Sequence, residues 1–318
     1  MIQTVRGPIA AGELGVTLGH EHLRFRDDAV AAQWPGRYDD EAHFAAAIAT
    51  CERAKGHGVE AIVDCSAMNA GRDVRFLARA SEQAGIHVVT CTGIYTFDQL
   101  PFYFENRSID VMADHFAGDI AEGAQGTSIR AGFIKTAADL PGITEDVEKV
   151  HRAAARASLA TGAPVMAHSS PPAGNGPKQL DVFADEGLDL SRVQICHYGD
   201  TTDLDAITAL LDRGAWVGLD RFGSPFPPYT PERTATAAAL IAGGYIDQLI
   251  LSHDSCAYID WLPDDEMAAM LAQSDFPGLG VSLIFEQVLP VLREQGVLDD
   301  DAFRRIFVEN PRRWLTGA

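Results

Sequence analysis

The stretch Val16-Thr-Leu-Gly-His-Glu-His22 decides how the rest of the sequence is read. It begins as an apolar, β-prone run and ends in two histidines that one residue separates. In an extended strand, residues i and i+2 point to the same face, so His20 and His22 would direct their imidazoles at one point. Taken alone, the motif fits a strand end with two exposed histidines equally well. The later strands of the chain distinguish the two interpretations.

Seven further short apolar runs follow this one, with helical stretches between them. The predicted strands cover residues 16–22, 60–65, 86–91, 130–136, 163–168, 193–197, 215–220 and 248–254. Strands that alternate with helices predict parallel βαβ units, and continuously apolar strands are typical of sheets buried on both faces. Eight units predict an α/β fold of the (β/α)8 TIM-barrel type, with a doubly wound open sheet as the alternative. We also expect a short N-terminal β-hairpin at residues 2–9 and a long loop after the eighth strand.

Composition limits the class of protein and its partners. The chain has 318 residues, of which 47% are hydrophobic and 22% charged, as in globular proteins with a full core. We see no linker or composition shift and expect one domain over residues 1–318. A net charge of −20 argues against nucleic acid and anionic membranes as partners. Five widely spaced cysteines and the absence of a signal peptide or a long apolar run predict a reduced, cytoplasmic protein.

Side chains that can bind metals recur at the ends of the predicted strands. After His20 and His22 they are Lys135 on the fourth strand, His168 on the fifth, His197 on the sixth and Asp254 on the eighth. In a barrel these ends meet on one face, where active sites lie. Four neutral imidazoles and a carboxylate suit zinc or a similar first-row divalent ion. The other histidines that we considered are expected to face solvent: His43, His57, His115 and His151.

Lys135 does not fit this set in its ordinary form, because an ammonium group has no lone pair for a cation. One interpretation is a lysine that forms a salt bridge at a strand end. The other is a neutral amine that has captured carbon dioxide. The resulting carbamate is an anion whose two oxygens can bridge two metal ions.

The ordered set of motifs resembles the amidohydrolase superfamily and, within it, the phosphotriesterase family. The resemblance rests on Thr17-Leu-Gly-His-Glu-His22, Gly132-Phe-Ile-Lys-Thr-Ala-Ala-Asp139, His197-Tyr-Gly-Asp200, Gly218-Leu-Asp-Arg-Phe-Gly223 and Leu251-Ser-His-Asp254. Three further segments are similar to the phosphotriesterase-like lactonases: Thr92-Gly-Ile-Tyr95, Leu100-Pro-Phe-Tyr-Phe104 and Asp254-Ser-Cys-Ala-Tyr-Ile-Asp-Trp261. The resemblance covers nearly the whole chain.

This resemblance implies a centre of two divalent metal ions, zinc first, with iron, cobalt or manganese as alternatives. His20, His22 and Asp254 would hold one ion and His168 and His197 the other, while carboxylated Lys135 and a hydroxide would bridge them. The residues implied to line the substrate pocket are Tyr95, Phe97, Arg221, Cys256 and Trp261. Phe97 departs from the lactonase pattern, which often has a second aromatic hydroxyl there, and so does the loop between Trp261 and Gly280. A homodimer is also implied.

The implied reaction is the opening of a lactone ring, such as that of an N-acyl-homoserine lactone, by the bridging hydroxide. Asp254 would act as general base and then acid, and Tyr95 would donate a hydrogen bond to the developing oxyanion. The alternative for Tyr95 is an aromatic packing residue at a strand end, but its place on the same face as the ligands favours the functional role. Arg221 either binds substrate oxygens or forms a structural ion pair. Organophosphate triesters would be slow side substrates. The alternatives are a dedicated phosphotriesterase and a barrel that binds a ligand without catalysis.

Overall fold

The computed structural model describes residues 1–263, 265, 266, 269 and 280–317. Strands β1 (Ile2–Thr4) and β2 (Gly7–Ile9) pair in antiparallel fashion and form the predicted N-terminal hairpin. The other strands are β3 (Thr17–His22), β4 (Ala61–Asp64), β5 (His87–Gly93), β6 (Phe133–Ala137), β7 (Val165–His168), β8 (Val193–Ile195), β9 (Trp216–Leu219), β10 (Leu249–Leu251) and β11 (Ser255–Cys256).

Strands β3 to β11 form one parallel sheet in the order β10-β9-β8-β7-β6-β5-β4-β3-β11. From β3 to β10, each strand is therefore the neighbour of the next strand in the sequence. Strand β11, which follows β10 closely in the sequence, pairs with β3, so that Ser255 lies opposite Glu21 and Cys256 opposite His22. The sheet curls until its last segment meets its first long strand, which confirms the predicted TIM-barrel-like fold and excludes the open sheet.

Gly19 permits this close approach of the first and last strands. A Cβ atom added at this position would lie 2.3 Å from Cγ2 of Ile250 on β10. Any side chain at position 19 would therefore force the two strands apart.

Helices connect the strands and cover the outside of the sheet. The long ones are Asp40–Gly56, Val74–Ala84, Ile109–Ala121, Glu145–Thr161, Asn175–Asp185, Leu204–Leu211 and Thr230–Ala242, with short ones at Asp28–Gln33 and Phe102–Glu105. Short 3₁₀ turns lie at Ala11–Glu13, Pro35–Arg37, Pro171–Ala173, Leu190–Arg192, Tyr198–Asp200, Ile246–Gln248 and Gly280–Ser282. The C-terminal helices contain π-helical turns: Ile284–Val288 (π), Leu289–Glu294 (α), Asp300–Arg304 (α), Arg305–Glu309 (π) and Asn310–Thr316 (α).

The interior of the barrel is filled by alternate residues of the strands. Phe133 and Met166 belong to the cluster inside the sheet, whereas Ile134 and Val165 pack against the surrounding helices. Because side chains alternate along a strand, Lys135 shares the inner face with Phe133, and His168 shares it with Met166. The side chains of Lys135 and His168 therefore point into the barrel, next to its apolar core.

The long loop that we predict after the eighth barrel strand falls largely on residues 264, 267, 268 and 270–279, outside the described residues. Within the part of the chain that the structure does describe, no helix combines the length and apolar character needed to cross a membrane.

Candidate functional site

The six predicted metal ligands all lie at the same end of the barrel. His20 and His22 end β3, Lys135 lies in β6, and the other three come from the ends of later strands: His168, His197 and Asp254. Lys135 is 0% exposed and the four histidines are at most 4% exposed. The Asp254 side chain is 18% exposed and forms the edge toward solvent. The structure thus brings together residues that are far apart in the sequence.

His20, His22 and Asp254 form the first ligand set. The Nε2 atoms of both histidines lie 3.3 Å from Oδ1 of Asp254. These three ligand atoms all lie within 4.8 Å of one another, a spacing that suits a single cation. The neighbouring His168 and His197 form the second set, in which Nδ1 of His168 lies 2.9 Å from Nε2 of His197.

Asp220 anchors one histidine of each set. Its Oδ2 accepts from Nδ1 of His20 at 2.8 Å, and its Oδ1 accepts from Nδ1 of His197 at 2.9 Å and from the His197 amide at 2.8 Å. Burial disfavours the ionised carboxyl, but the two histidines outweigh burial and hold the pKa of Asp220 well below its usual range. Asp220 was not among our predicted site residues, although it ends the seventh predicted strand and that position could have revealed it.

The outer nitrogen of each remaining histidine also has a partner. His22 Nδ1 lies 2.9 Å from Oγ of Ser66, and the Ser66 hydroxyl donates to the carbonyl of Arg24, so Oγ accepts from His22. His168 Nε2 donates to Oδ2 of Asp139 at 3.0 Å. Asp139 and Ser66 are further residues that the strand-end pattern did not reveal. Metal-binding histidines ordinarily have such partners, which fix the tautomer and the ring orientation.

These anchors leave a lone pair on the inner nitrogen of every histidine. Burial is the main cause that lowers the pKa of His168, to about 4, and the pKa of His197 well below its usual range, so both are neutral at pH 7. His168 and His197 then face each other with two lone pairs, and His20 and His22 present theirs to the Asp254 carboxylate. Such groups repel one another unless cations lie between them, so the donor set fits divalent metal ions.

Lys135 completes the inner side of the site. Its Nζ lies 3.1 Å from Nε2 of His20 and can donate to that lone pair. The amine is fully buried beside the ligands rather than in a surface ion pair. Lys135 therefore lies on the same inner side of the site as the first ligand set.

Two of the predicted ligands have left-handed backbone conformations. The φ angle is 65° at His197 and 55° at Asp254. Residues with a side chain hold such conformations at a cost of about 1–3 kcal/mol, and these conformations cluster at functional sites. The eighth barrel strand, β10, ends at Leu251 and is shorter than the predicted 248–254.

A cavity of about 310 Å³ opens above the ligands. All five predicted pocket residues line it: Tyr95, Phe97, Arg221, Cys256 and Trp261. The Tyr95 hydroxyl lies 3.2 Å from Nδ1 of His168, and burial raises the pKa of Tyr95 well above its usual value, so the phenol keeps its proton. Phe25 and Ile259 also line the cavity, and our sequence reasoning missed both.

A larger cavity of about 630 Å³ beside the helix Thr230–Ala242 is lined by none of the predicted ligands.

Arg221 forms an ion pair, and the pair includes a predicted ligand. Its Nε donates to Oδ2 of Asp254 at 2.9 Å, and a terminal nitrogen donates to Oδ2 of Asp200 at 2.7 Å. Burial disfavours the ionised Asp254, but His20, His197 and Arg221 outweigh it and hold the pKa of Asp254 well below its usual range. Asp254 is therefore a carboxylate at neutral pH.

Two histidines that we expected to face solvent are buried. His43 is 7% exposed and stacks on Tyr258 with ring centroids 3.5 Å apart, while His151 is 0% exposed. His57 is half-buried against Phe285, and His115 is exposed as predicted. The spacing of Val147, Val150, His151 and Ala154 on one helix face was the signal that could have placed His151 in the core.

The comparison with known proteins agrees with this geometry. The profile of the phosphotriesterase family matches residues 1–315. The chain belongs to the phosphotriesterase family. An aryldialkylphosphatase of Saccharolobus solfataricus is 43% identical over 309 residues, which cover 97% of each chain. A phosphotriesterase homology protein of Mycobacterium tuberculosis is 38% identical over 324 residues, covering 98% of this chain and 96% of that protein.

A solved structure of the phosphotriesterase from Mycobacterium tuberculosis superimposes on this phosphotriesterase-family chain with a TM-score of 0.92. The two are 36% identical, and the match covers 99% of this chain and 98% of the other. The family and the fold predicted from the sequence are thereby confirmed, and the chain is a hydrolase of the phosphotriesterase family.

Proposed function

We propose that the protein is a binuclear metal-dependent lactonase that opens N-acyl-homoserine lactones or related lactones. The observation that carries the proposal is the inward orientation of four imidazole lone pairs toward one another and toward Asp254. Cations between these groups would relieve their mutual repulsion, which supports the proposal. Opening of such lactones would quench quorum-sensing signals.

His20, His22 and Asp254 would hold one ion, and His168 and His197 the other. Zinc suits these nitrogen and oxygen donors, with iron, cobalt or manganese as alternatives. When bound, such ions supply Lewis acidity and lower the pKa of water. Lys135 would carry a carboxyl group that faces both sets. To test the carboxylation of Lys135, metal-free protein is reconstituted with zinc in the presence and absence of bicarbonate. If activity recovers equally in both cases, the carboxylation is wrong.

The side chains of the pocket provide the remaining chemistry. Asp254 is ionised and lies between the ligands and Arg221, so it can take a proton from the attacking water and return it to the leaving alkoxide. Tyr95 keeps its phenolic proton beside His168 and can donate a hydrogen bond to the carbonyl oxygen as negative charge develops. Arg221 keeps Asp254 ionised and oriented.

The wall of the pocket supports an acyl-bearing substrate. Phe97 and Trp261 have ring centroids 5.7 Å apart, and Phe25 lies 5.7 Å from Trp261. Together with Cys256 and Ile259 they form an apolar surface beside the ligands, which an acyl chain can cover. Phe97 offers no hydroxyl, so this part of the wall recognises substrate by shape and apolar contact.

A dedicated phosphotriesterase is the second candidate, because the relative from Saccharolobus solfataricus bears the name aryldialkylphosphatase. The deciding experiment compares kcat/KM for one N-acyl-homoserine lactone and one aryl dialkyl phosphate on the same zinc-loaded protein. We expect the lactone to be preferred, and a far higher value for the triester would reverse the assignment. If chelation leaves the turnover of both substrates unchanged, the metal-dependent mechanism is wrong.

A barrel that binds its ligand without catalysis would turn over neither substrate with any of the four metals. The homodimer, the cytoplasmic location and the extent of the single domain stay predictions. Size-exclusion chromatography with light scattering tests the first of them.

A further inference from the structure

Glu21 separates the two histidines of the first ligand set, and its carboxylate receives four hydrogen bonds. Oε1 accepts from the hydroxyl of Ser252 at 2.8 Å, from the amide of His253 at 3.1 Å and from Nδ1 of His253 at 2.8 Å. Oε2 accepts from the amide of Ser255 at 2.7 Å. Glu21 is 1% exposed, and a buried carboxylate with these partners satisfies most of its lone pairs.

The partners of Glu21 lie on both sides of Asp254 in the chain. The amides of His253 and Ser255 donate to Glu21, and the amide of Asp254 itself donates to the carbonyl of His20 at 3.1 Å. Three consecutive amides of the segment that carries Asp254 are thus held by β3. Ser252 extends this network, because its Oγ accepts from the amide of His20 at 3.0 Å.

The tautomer of His253 decides which atom donates in its hydrogen bond to Glu21. The amide of Ile284 donates to Nε2 of His253 at 3.2 Å, so Nε2 has no proton and the proton lies on Nδ1. Nδ1 therefore donates to Glu21, and all four partners of the carboxylate are donors. A glutamine at position 21 cannot reproduce this arrangement, because its amide nitrogen would face the amide of Ser255.

We infer that Glu21 is a positioning residue that holds the backbone of Asp254 in its left-handed conformation and so directs Asp254 between His20 and His22. The inference rests on the proposed function for its catalytic consequence, but not for its structural one. Asp254 has a φ angle of 55°, a left-handed conformation that residues with a side chain rarely adopt. The carboxylate of Glu21 holds the amides on both sides of it. Glu21 is not one of the proposed metal ligands and acts through residues 252–255, the segment that carries Asp254.

The test compares Glu21→Gln with Glu186→Gln as a matched control. Glu186 is also a hydrogen-bonded glutamate, 12% exposed, but its partners are Arg152 and Arg156 on the outer helix Glu145–Thr161. In crystals of metal-free Glu21→Gln we expect Asp254 to leave the left-handed region and its carboxylate to move by more than about 0.5 Å. An unchanged φ and position of Asp254 would overturn the inference, whatever the protein catalyses.

Zinc titration of the metal-free protein against a competing chelator gives the second measurement. We expect Glu21→Gln to weaken one of two zinc affinities about 10- to 100-fold and to lower kcat with KM unchanged. Glu186→Gln should leave both affinities as they are. Glu21→Asp keeps the charge and should recover part of the loss. Equal affinities and kcat in wild type and Glu21→Gln would contradict the inference, whereas a wild type that binds no zinc would contradict the proposed function instead.

Ser252→Ala serves if Glu21→Gln does not fold. It removes one of the four donors to Glu21 and the link to the His20 amide, while leaving the carboxylate in place. We expect a smaller loss of the same zinc affinity, about threefold to tenfold. No loss in this variant would contradict the network.

Discussion

The Nε–H group of Arg221 donates a hydrogen bond to Oδ2 of Asp254 across 2.9 Å. The other oxygen of the same carboxylate faces the Nε2 atoms of His20 and His22. One carboxylate thus uses one oxygen toward the proposed metal and the other toward a guanidinium. In the proposed mechanism, this division of roles would let Asp254 bind a cation and keep a defined direction for proton transfer.

Two replacements of Arg221 test whether its positive charge lowers the pKa of Asp254. In Arg221→Met the pKa of Asp254 rises, so the acid limb of the kcat–pH profile moves to higher pH, because activity is lost as pH falls through that pKa. We expect kcat at neutral pH to fall about 10- to 100-fold. Arg221→Lys keeps a positive charge and should keep the acid limb near its wild-type position. An acid limb that is the same in Arg221→Met and wild type would show that Asp254 does not depend on the guanidinium.

Asp220 should affect both metal sites, because it anchors His20 and His197 at once. We expect Asp220→Asn to weaken both zinc affinities about 10- to 100-fold, as measured by competition with a chelator. Asp139→Asn, whose partner is His168, should weaken only one of the two. If Asp220→Asn changes a single affinity, the bridging role is wrong.

Tyr38 should fix the position of Trp261 in the pocket wall, although Tyr38 itself does not line the described pocket. Its hydroxyl donates to Oδ2 of Asp260 at 2.6 Å, and Asp260 directly precedes Trp261. Loss of a hydrogen bond to a charged group costs about 1.5–3 kcal/mol, so Tyr38→Phe should loosen this segment. We expect a severalfold rise in KM for a long-chain lactone with kcat nearly unchanged. Tyr103→Phe, at a 43% exposed tyrosine, is the control and should change neither constant.

His151 should make the stability of the metal-free protein depend on pH. Burial lowers its pKa from 6.5 to about 4, so the unfolded chain binds a proton more readily than the folded one. This contribution is fully present above pH 6.5 and is lost as pH falls to 4, up to about 3 kcal/mol in the free energy of unfolding. Urea titrations of His151→Asn should have a shallower pH slope over this range, while exposed His115→Asn keeps the wild-type slope. Equal slopes for wild type and His151→Asn would contradict the assignment.

The strand pattern predicted the fold well because the barrel strands are apolar on both faces and glycines or polar turns interrupt them. Helix starts were harder to predict. From Leu180 to Glu186 the sequence predicts a short helix. The observed helix Asn175–Asp185 begins earlier, because Gly176 and Pro177 resemble a loop although proline is tolerated in a first helical turn. For the next helix the sequence predicts Thr202 as the cap. In the structure Asp203 caps it, because the Asp203 side chain accepts from the amide of Ala206.

The strand-end rule collected all six proposed ligands, since parallel strands bring their ends to one face. The residues that orient these ligands were harder to find. Asp220 ends the seventh predicted strand, so its position could have revealed it. Asp139 and Glu21 act through hydrogen bonds to residues that are distant in the sequence, and the strand pattern does not record those pairings. The left-handed conformation of Asp254 was also missed, because the amides on either side of it, those of His253 and Ser255, donate to Glu21 on another strand.

The pairing of β11 with β3 has a consequence for the order in which this protein matures. His20 and His22 come from the start of the chain and Asp254 from near its end, so a nascent polypeptide that lacks β11 has no complete first ligand set. On the proposed function, cation binding would then be a late event in biosynthesis, after the two edges of the sheet have paired. A half-made chain on the ribosome would not bind zinc tightly, and the bound ion would hold the two edges of the finished barrel together.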